Sequence, residues 1–214
     1  MAKLKDSILS GASGRIGRVV VANLFGTEIL KVRPKKSSKP ATTTQVLIRQ
    51  RMATSSVFIE SYRKYACKHF GQRIGTKSAY NFAMRNLLEA YTIDVPTATI
   101  TLNYPMVEFS KGTLLSVFPS GFSSPTANTI QVNWVNNAGV NIDRENDYLQ
   151  VLVAIDLQPY SLFLENVAQR IDQTVNLTLP STFQNQKVHI WVAFRDAQEF
   201  QVSNSIYLGN VIVL

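Results

Sequence analysis

Residues 187–196, Lys-Val-His-Ile-Trp-Val-Ala-Phe-Arg-Asp, decide the fold class of this chain. Aromatic and β-branched residues dominate the stretch, no glycine or proline interrupts it, and helical spacing is absent, so it reads as a β-strand. The same texture extends outward on both sides. Residues 98–103, 112–118, 129–137, 148–156, 161–165, 173–180 and 205–214 are short apolar segments separated by Pro, Gly, Asn and Ser clusters. With 187–196 they make eight expected strands, the pattern of an antiparallel β-sandwich over residues 94–214. Trp134 and Trp191 fall in the most regular strands and are expected to pack across the two sheets. The architecture resembles immunoglobulin- or fibronectin-type modules without their disulfide. The one cysteine, Cys67, has no internal partner, so packing must hold the fold. Cys67 is expected as a small buried apolar residue.

Upstream of residue 94 the period changes to that of a helix. Thr42 followed by Gln45 fits a capping box, and Ile48, Met52, Ile59, Tyr62 and Ala66 recur at helical spacing to about residue 69. Gly71 and Gly75 end that helix. Thr76 is expected to cap a second, with Ala79, Phe82, Ala83, Leu87 and Ala90 on one face. Residues 41–93 thus read as a two-helix hairpin. The aromatics Phe58, Tyr62, Tyr65, Phe70, Tyr80 and Phe82 fit core positions on these helices.

Further upstream, Val19–Val21 and Ile29–Val32 flank Gly26-Thr27 as a β-hairpin. A two-stranded hairpin is marginal alone and needs a third strand, a helix or another subunit beside it. A Pro- and Lys-rich connector follows, so residues 1–40 form a basic arm, a hairpin and a linker. The fold class expected is α+β.

Charge is divided as sharply as texture. Residues 1–90 carry 17 Lys and Arg against four acids, a net of +13, whereas residues 91–214 carry five against ten, a net of −5. Such asymmetry suits a polyanion partner, and equally suits head-to-tail association in which the basic part of one copy meets the acidic part of the next. The candidate contact residues are Lys3, Lys5, Arg15, Arg18, Lys31, Arg33, Lys35, Lys36, Lys39, Arg49 and Arg51.

Motifs for chemistry are sparse. Gly11, Gly14 and Gly17 are spaced as in a dinucleotide loop, but that mechanism needs a buried strand before the loop and a helix after it. The flanks here, Lys3–Ser7 and a β-branched run, supply neither. A turning basic arm that lies along phosphates through Arg15 and Arg18 fits better. Asn141, Asp143, Glu145 and Asp147 alternate as in a calcium loop but lack its glycine and terminal glutamate. Cys67 and His69 are too few for a metal, and His189 lies far off in a strand. No cofactor, small-molecule substrate or catalytic residue is expected, and the chain reads as non-enzymatic. The start of the chain has no signal-peptide core and no segment reaches membrane-spanning length, so a cytoplasmic or particle-assembled product is expected.

The glycines of the arm, Val32-Arg33-Pro34, Lys39-Pro40-x-Thr42-x-x-Gln45, Gln50-Arg51-Met52, Ala79–Ala83, Phe109-Ser110-Lys111-Gly112 and Val202–Gly209 occur in order. In this they resemble a domain-of-unknown-function family found in Bacteroidota-type bacteria and their phages and mobile elements. Val46-Leu47-Ile48 departs from the more polar helix start expected of it. The resemblance implies no catalytic residue and leans toward a phage-like or surface-assembly role. The function expected is therefore a structural subunit of a virion, tail or filament, a homo-oligomer built through its N-terminal arm and hairpin. The alternative is a nucleic-acid-binding protein that uses the basic half, with the sandwich as an interaction module.

Overall fold

The structure, a computed structural model, describes every residue except Met1, Asp6, Ser7, Phe25, Lys36, Ser37, Val140 and Asn141 and the side chain of Ile142. The chain forms two compact units, residues 1–42 with 74–76, and residues 43–73 with 77–214.

In the smaller unit β1 (Ala2–Leu4), β2 (Gly14–Ile16), β3 (Val19–Leu24) and β4 (Thr27–Val32) form an antiparallel sheet in the order β1-β4-β3-β2. The central hairpin is the expected one, shifted at its turn: the ladder closes on Leu24↔Thr27 rather than around Gly26-Thr27. Its missing neighbours come from its own arm. Ala2–Leu4 adds to β4 and Gly14–Ile16 adds to β3. Ile16 pairs with Val19, so Gly17-Arg18 is a two-residue turn; Gly17 sits at φ +56° and Arg18 stays at negative φ, the signature of a type II′ hairpin.

Side chains directly opposite one another in a ladder share a face. The register therefore puts Lys3, Arg15, Val20, Ala22, Leu24, Thr27, Ile29 and Lys31 on one face of the sheet. Leu4, Ile16, Val19, Val21, Leu30 and Val32 lie on the other, with Asn23 and Glu28. One face is basic and the other largely apolar.

The larger unit begins with α1 (Thr43–Glu60), α2 (Arg63–His69) and α3 (Ala79–Ala90). One continuous helix to residue 69 was expected, but it breaks after Glu60. Tyr62 N–H donates to Ile59 O, while the Phe58 carbonyl that it would use in an α-helix accepts from Ser161 Oγ at 2.6 Å. The cap of α3 is Ser78, which accepts from Asn81 N–H, rather than Thr76.

The buried face of α1 matches expectation at Ile59, as do Tyr62 and Ala66 beyond the helix, and differs in its earlier turns. Leu47, Ser55, Phe58 and Ile59 are buried, whereas Ile48 and Met52 are nearly half exposed. Positions 47, 51, 55 and 58 form a helical stripe, and Arg51 and Ser55 disguise it in the sequence.

Two expected strands move. Residues 98–103 do not join the sandwich. β6 (Thr99–Leu102) instead pairs with β5 (Tyr91–Asp94), a segment read as the end of the helical region, through Tyr91↔Leu102 and Ile93↔Ile100. Residues 112–118 form no strand. A Cβ on Gly112 would lie 2.2 Å from Val202 O, so this segment is pressed against the chain beyond it and makes a single bridge, Leu114↔Ser203. The strand comes just afterwards, β7 (Pro119–Ser123).

β8 (Thr129–Trp134), β9 (Tyr148–Ile155), β10 (Ser161–Leu164), β11 (Thr174–Thr178), β12 (Lys187–Arg195) and β13 (Ile206–Ile212) complete two antiparallel sheets, β10-β9-β12-β13 and β11-β8-β7. Alternate residues of the central pair enter different cores. Val151, Val153, Ile190, Val192 and Phe194 join Ile130, Val132 and Trp134 of the second sheet. Leu152, Ala154, Trp191 and Ala193 join Phe58, Tyr62, Ala83 and Leu87 of the helices. The two tryptophans therefore do not meet across the sheets as expected. Trp134 packs edge-on to Phe194, and Trp191, three residues from Phe194 and so on the opposite face, packs edge-on to Phe58. β9 and β12 read as near-continuous apolar runs because both their faces are covered.

Candidate polyanion-binding site

The register of the N-terminal sheet gathers basic residues at one of its ends. Val19 pairs with Val32, and Arg33 N–H continues the ladder to Arg18 O at 2.9 Å, so Arg33 lies beside the II′ turn. Arg15, one strand across, donates from Nε to Gly17 O at 3.3 Å, which draws its guanidinium toward that turn. Pro34 and Lys35 run on from β4. The result is a concavity of about 360 Å³ lined by Arg15, Gly17, Arg18, Val32, Arg33, Pro34 and Lys35. Its turn glycine adds no side chain to the wall, which leaves backbone and guanidinium groups in reach of a ligand.

Four cations line this cup, and among the described residues none of them forms an ion pair within the chain. The one carboxylate described in this unit, Glu28, belongs to the opposite face and accepts from Gly11 N–H at 2.6 Å. Lys31 and Lys3 extend the basic character across the sheet from Arg15.

The sequence-derived residues therefore separate into groups. Arg15, Arg18, Arg33 and Lys35 converge, and Lys3 and Lys31 share the face. Lys5 follows β1 and is exposed, and Lys39 lies in the connector. Arg49 and Arg51 stand on α1 in the larger unit, where Arg51 lines a groove with Met52, Tyr80 and Met84. Lys36 falls outside the described residues, as does Asn141 of the calcium-like loop.

The other marked residues have structural partners. Asp147 is held by Arg170, a fully buried guanidinium that donates from NH2 to Asp147 Oδ2 at 2.8 Å and to Leu115 O at 3.0 Å. The same side chain donates to Asn137 Oδ1 and lies 3.9 Å over the Phe194 ring. His189 has both ring nitrogens engaged, with Tyr207 Oη at 2.7 Å and Asp156 Oδ1 at 3.2 Å, and Tyr104 stacks on its face. Sequence reasoning missed both clusters, because their members come from distant segments. Cys67 is exposed, against expectation, whereas His69 is buried against Tyr65. Phe58, Tyr62, Tyr65 and Phe70 are buried, and Tyr80 and Phe82 pack partly against the same core. Among the described residues no three His, Cys, Asp or Glu approach closely enough to hold a metal, and no helix is long and apolar enough to cross a membrane.

A family model described as a family of unknown function (DUF6266) matches residues 11–209, and the chain belongs to that family. No curated protein and no solved structure matches it.

Proposed function

We propose that this member of the DUF6266 family is a non-enzymatic assembly subunit that self-associates through its N-terminal sheet, as a virion, tail or filament component. The observation that carries this reading is the apolar face of that sheet. Val32 is 75% and Ile16 52% exposed, and they share the face with partly exposed Leu4, Val19 and Leu30, around a buried Val21. A small sheet gains stability by burying such a face against another layer.

A second copy is the occupant that charge favours. Residues 1–42, which hold the sheet, carry nine Lys and Arg against two acids, a net of +7, and residues 91–214 of the larger unit carry a net of −5. A head-to-tail arrangement sets one against the other in successive copies. In this reading the paired sheets of the larger unit serve as an immunoglobulin- or fibronectin-like body that receives the next subunit. The hairpin's own arm supplies its neighbouring strands, so the reading rests on docking of the face rather than on an incomplete ladder.

The test compares the native chain with Val32→Asp and Ile16→Asp by light scattering behind size exclusion. Both sites are exposed, so the variants are expected to keep the native circular-dichroism spectrum and to lose assembly. A native chain that runs as a monomer, or variants that keep the native oligomeric mass, would sink the reading.

A further inference from the structure

We infer that the cup of Arg15, Arg18, Arg33 and Lys35 binds the phosphodiester backbone of a nucleic acid, an interaction distinct in chemistry from assembly through the apolar face, which the cup borders at Val32. The first ground is composition: every charged side chain that lines the cup is a cation, and three of the four are arginines. A guanidinium presents a planar fork of donors that matches two oxygens of a phosphate, and several around one concavity suit an anion with multiple acceptors.

The second ground is that these cations are uncommitted. No ion pair among the described residues neutralises them, and the carboxylate of Glu28 lies on the other face. Arg15 spends its Nε on Gly17 O, which fixes the guanidinium and leaves its terminal nitrogens as donors. The bond from Arg33 N–H to Arg18 O is backbone to backbone, so both of those side chains remain available.

The third ground is shape. The cup is the end of a track. Arg15, Val20 and Lys31 are cross-strand neighbours on β2, β3 and β4, and Lys3 follows on β1 opposite Ile29. With strands about 4.8 Å apart, Arg15 and Lys31 stand roughly 10 Å from one another across two strand spacings. A row of cations across a sheet fits a linear chain of phosphates better than an isolated ion. Val20 and Ala22 lie between the charges and give sugars and bases a surface without competing carboxylates. The acidic part of another copy offers scattered carboxylates instead, and it is the rival that the experiment must separate.

The probe is a short fluorescein-labelled oligothymidylate, read by anisotropy against the full chain from about 50 to about 200 mM salt. The native protein is expected to bind with a steep salt dependence. Arg18→Ala with Arg33→Ala is expected to weaken binding at least tenfold at low salt. It should also flatten the logarithmic salt slope by about 1.4, twice the ~0.7 that each single-strand phosphate contact contributes. Arg18→Lys with Arg33→Lys keeps the charges and is expected to restore most of the slope. Arg49→Ala with Arg51→Ala, on α1, is expected to leave both readings unchanged.

Oligomeric mass is measured on the same samples. Three results overturn the inference: no binding by the native chain at the lowest salt; equal affinity in the cup variant; or loss that follows Arg49 and Arg51 instead. A cup variant that loses oligomeric mass while it keeps its affinity also overturns it, and assigns the cup to the acidic surface of another copy. Loss of nucleic-acid binding with mass retained supports it, whatever the fate of the assembly reading.

Discussion

His69 and His189 are the two histidines of the chain, and both are buried. Burial holds the pKa of each below the usual histidine value; the charges of Arg195 and Lys68 add to this for His69, and Asp156 opposes it for His189. The sign of the pH effect follows. A histidine with a depressed folded pKa is neutral in the fold and takes up a proton more readily when unfolded. Its contribution is complete above the unfolded value of about 6.5 and is lost as pH falls through that value toward the depressed one. Two such groups give a slope of at most about 2.7 kcal/mol per pH unit. Urea melts on either side of about pH 6.5 are expected to show this loss, and His69→Phe to remove roughly half of it. An acid slope that His69→Phe leaves intact would show that carboxylates dominate instead. At the same scale, Arg170 explains how an acidic β-rich half tolerates a fully buried cation. Asp147, the backbone oxygens of Leu115 and Arg144, and the face of Phe194 all receive it. Removal of one partner from such a pair leaves a buried charge uncompensated.

Helix α1 shows how a stripe can be right at one end of an element, at Ile59, and out of phase at the other, at Ile48 and Met52. Its apolar residues surround the helix, with Val46, Ile48, Met52 and Val57 exposed and Leu47, Phe58 and Ile59 buried. A sequence count favours any stripe rich in large side chains, and it passes over one whose middle positions are Arg51 and Ser55. What fixes the phase is the surface beneath. Phe58 meets Trp191 at a centroid distance of 6.3 Å, and buried Ser55 leaves room for close approach. Phe58→Ala is therefore expected to cost about 3–5 kcal/mol, and Ile48→Glu to stay within about 0.5 kcal/mol, both by chemical denaturation. The reverse order would put Ile48 on the buried face in place of Phe58. The strands divide in the same way. β8, β9, β11, β12 and β13 were legible from alternation and β-branched content. Residues 112–118 carry the same local texture, yet Gly112 lies close against Val202 and the segment makes a single bridge rather than a ladder.

For the whole molecule, the physical division falls after residue 42 and not near residue 90, where the charge changes sign, because the basic helices share a core with the acidic strands. The small sheet ends at β4 with Val32, and α1 begins at Thr43. Lys35 is exposed, and the bond after it is not blocked by proline, unlike those after Arg33 and Lys39. Limited trypsin digestion is expected to cut there first and leave a fragment that starts in the connector and ends at Leu214. First cuts within residues 43–214 would show that the larger unit opens more easily than the connector.

The sequence by itself determined the α+β class, the order of arm, hairpin, helices and strands, and the concentration of positive charge in the first ninety residues. Those features depend on local periodicity, turn chemistry and composition, all of which are written residue by residue. The tertiary structure alone decided which face of α1 is buried, that Trp134 and Trp191 serve different cores, and that the arm completes its own hairpin. It also decided that Arg15, Arg18, Arg33 and Lys35 form one cup while Arg49 and Arg51 belong to α1 of the larger unit. Each of these depends on pairing register and on packing between distant segments, where a shift of one residue moves a side chain to the opposite face.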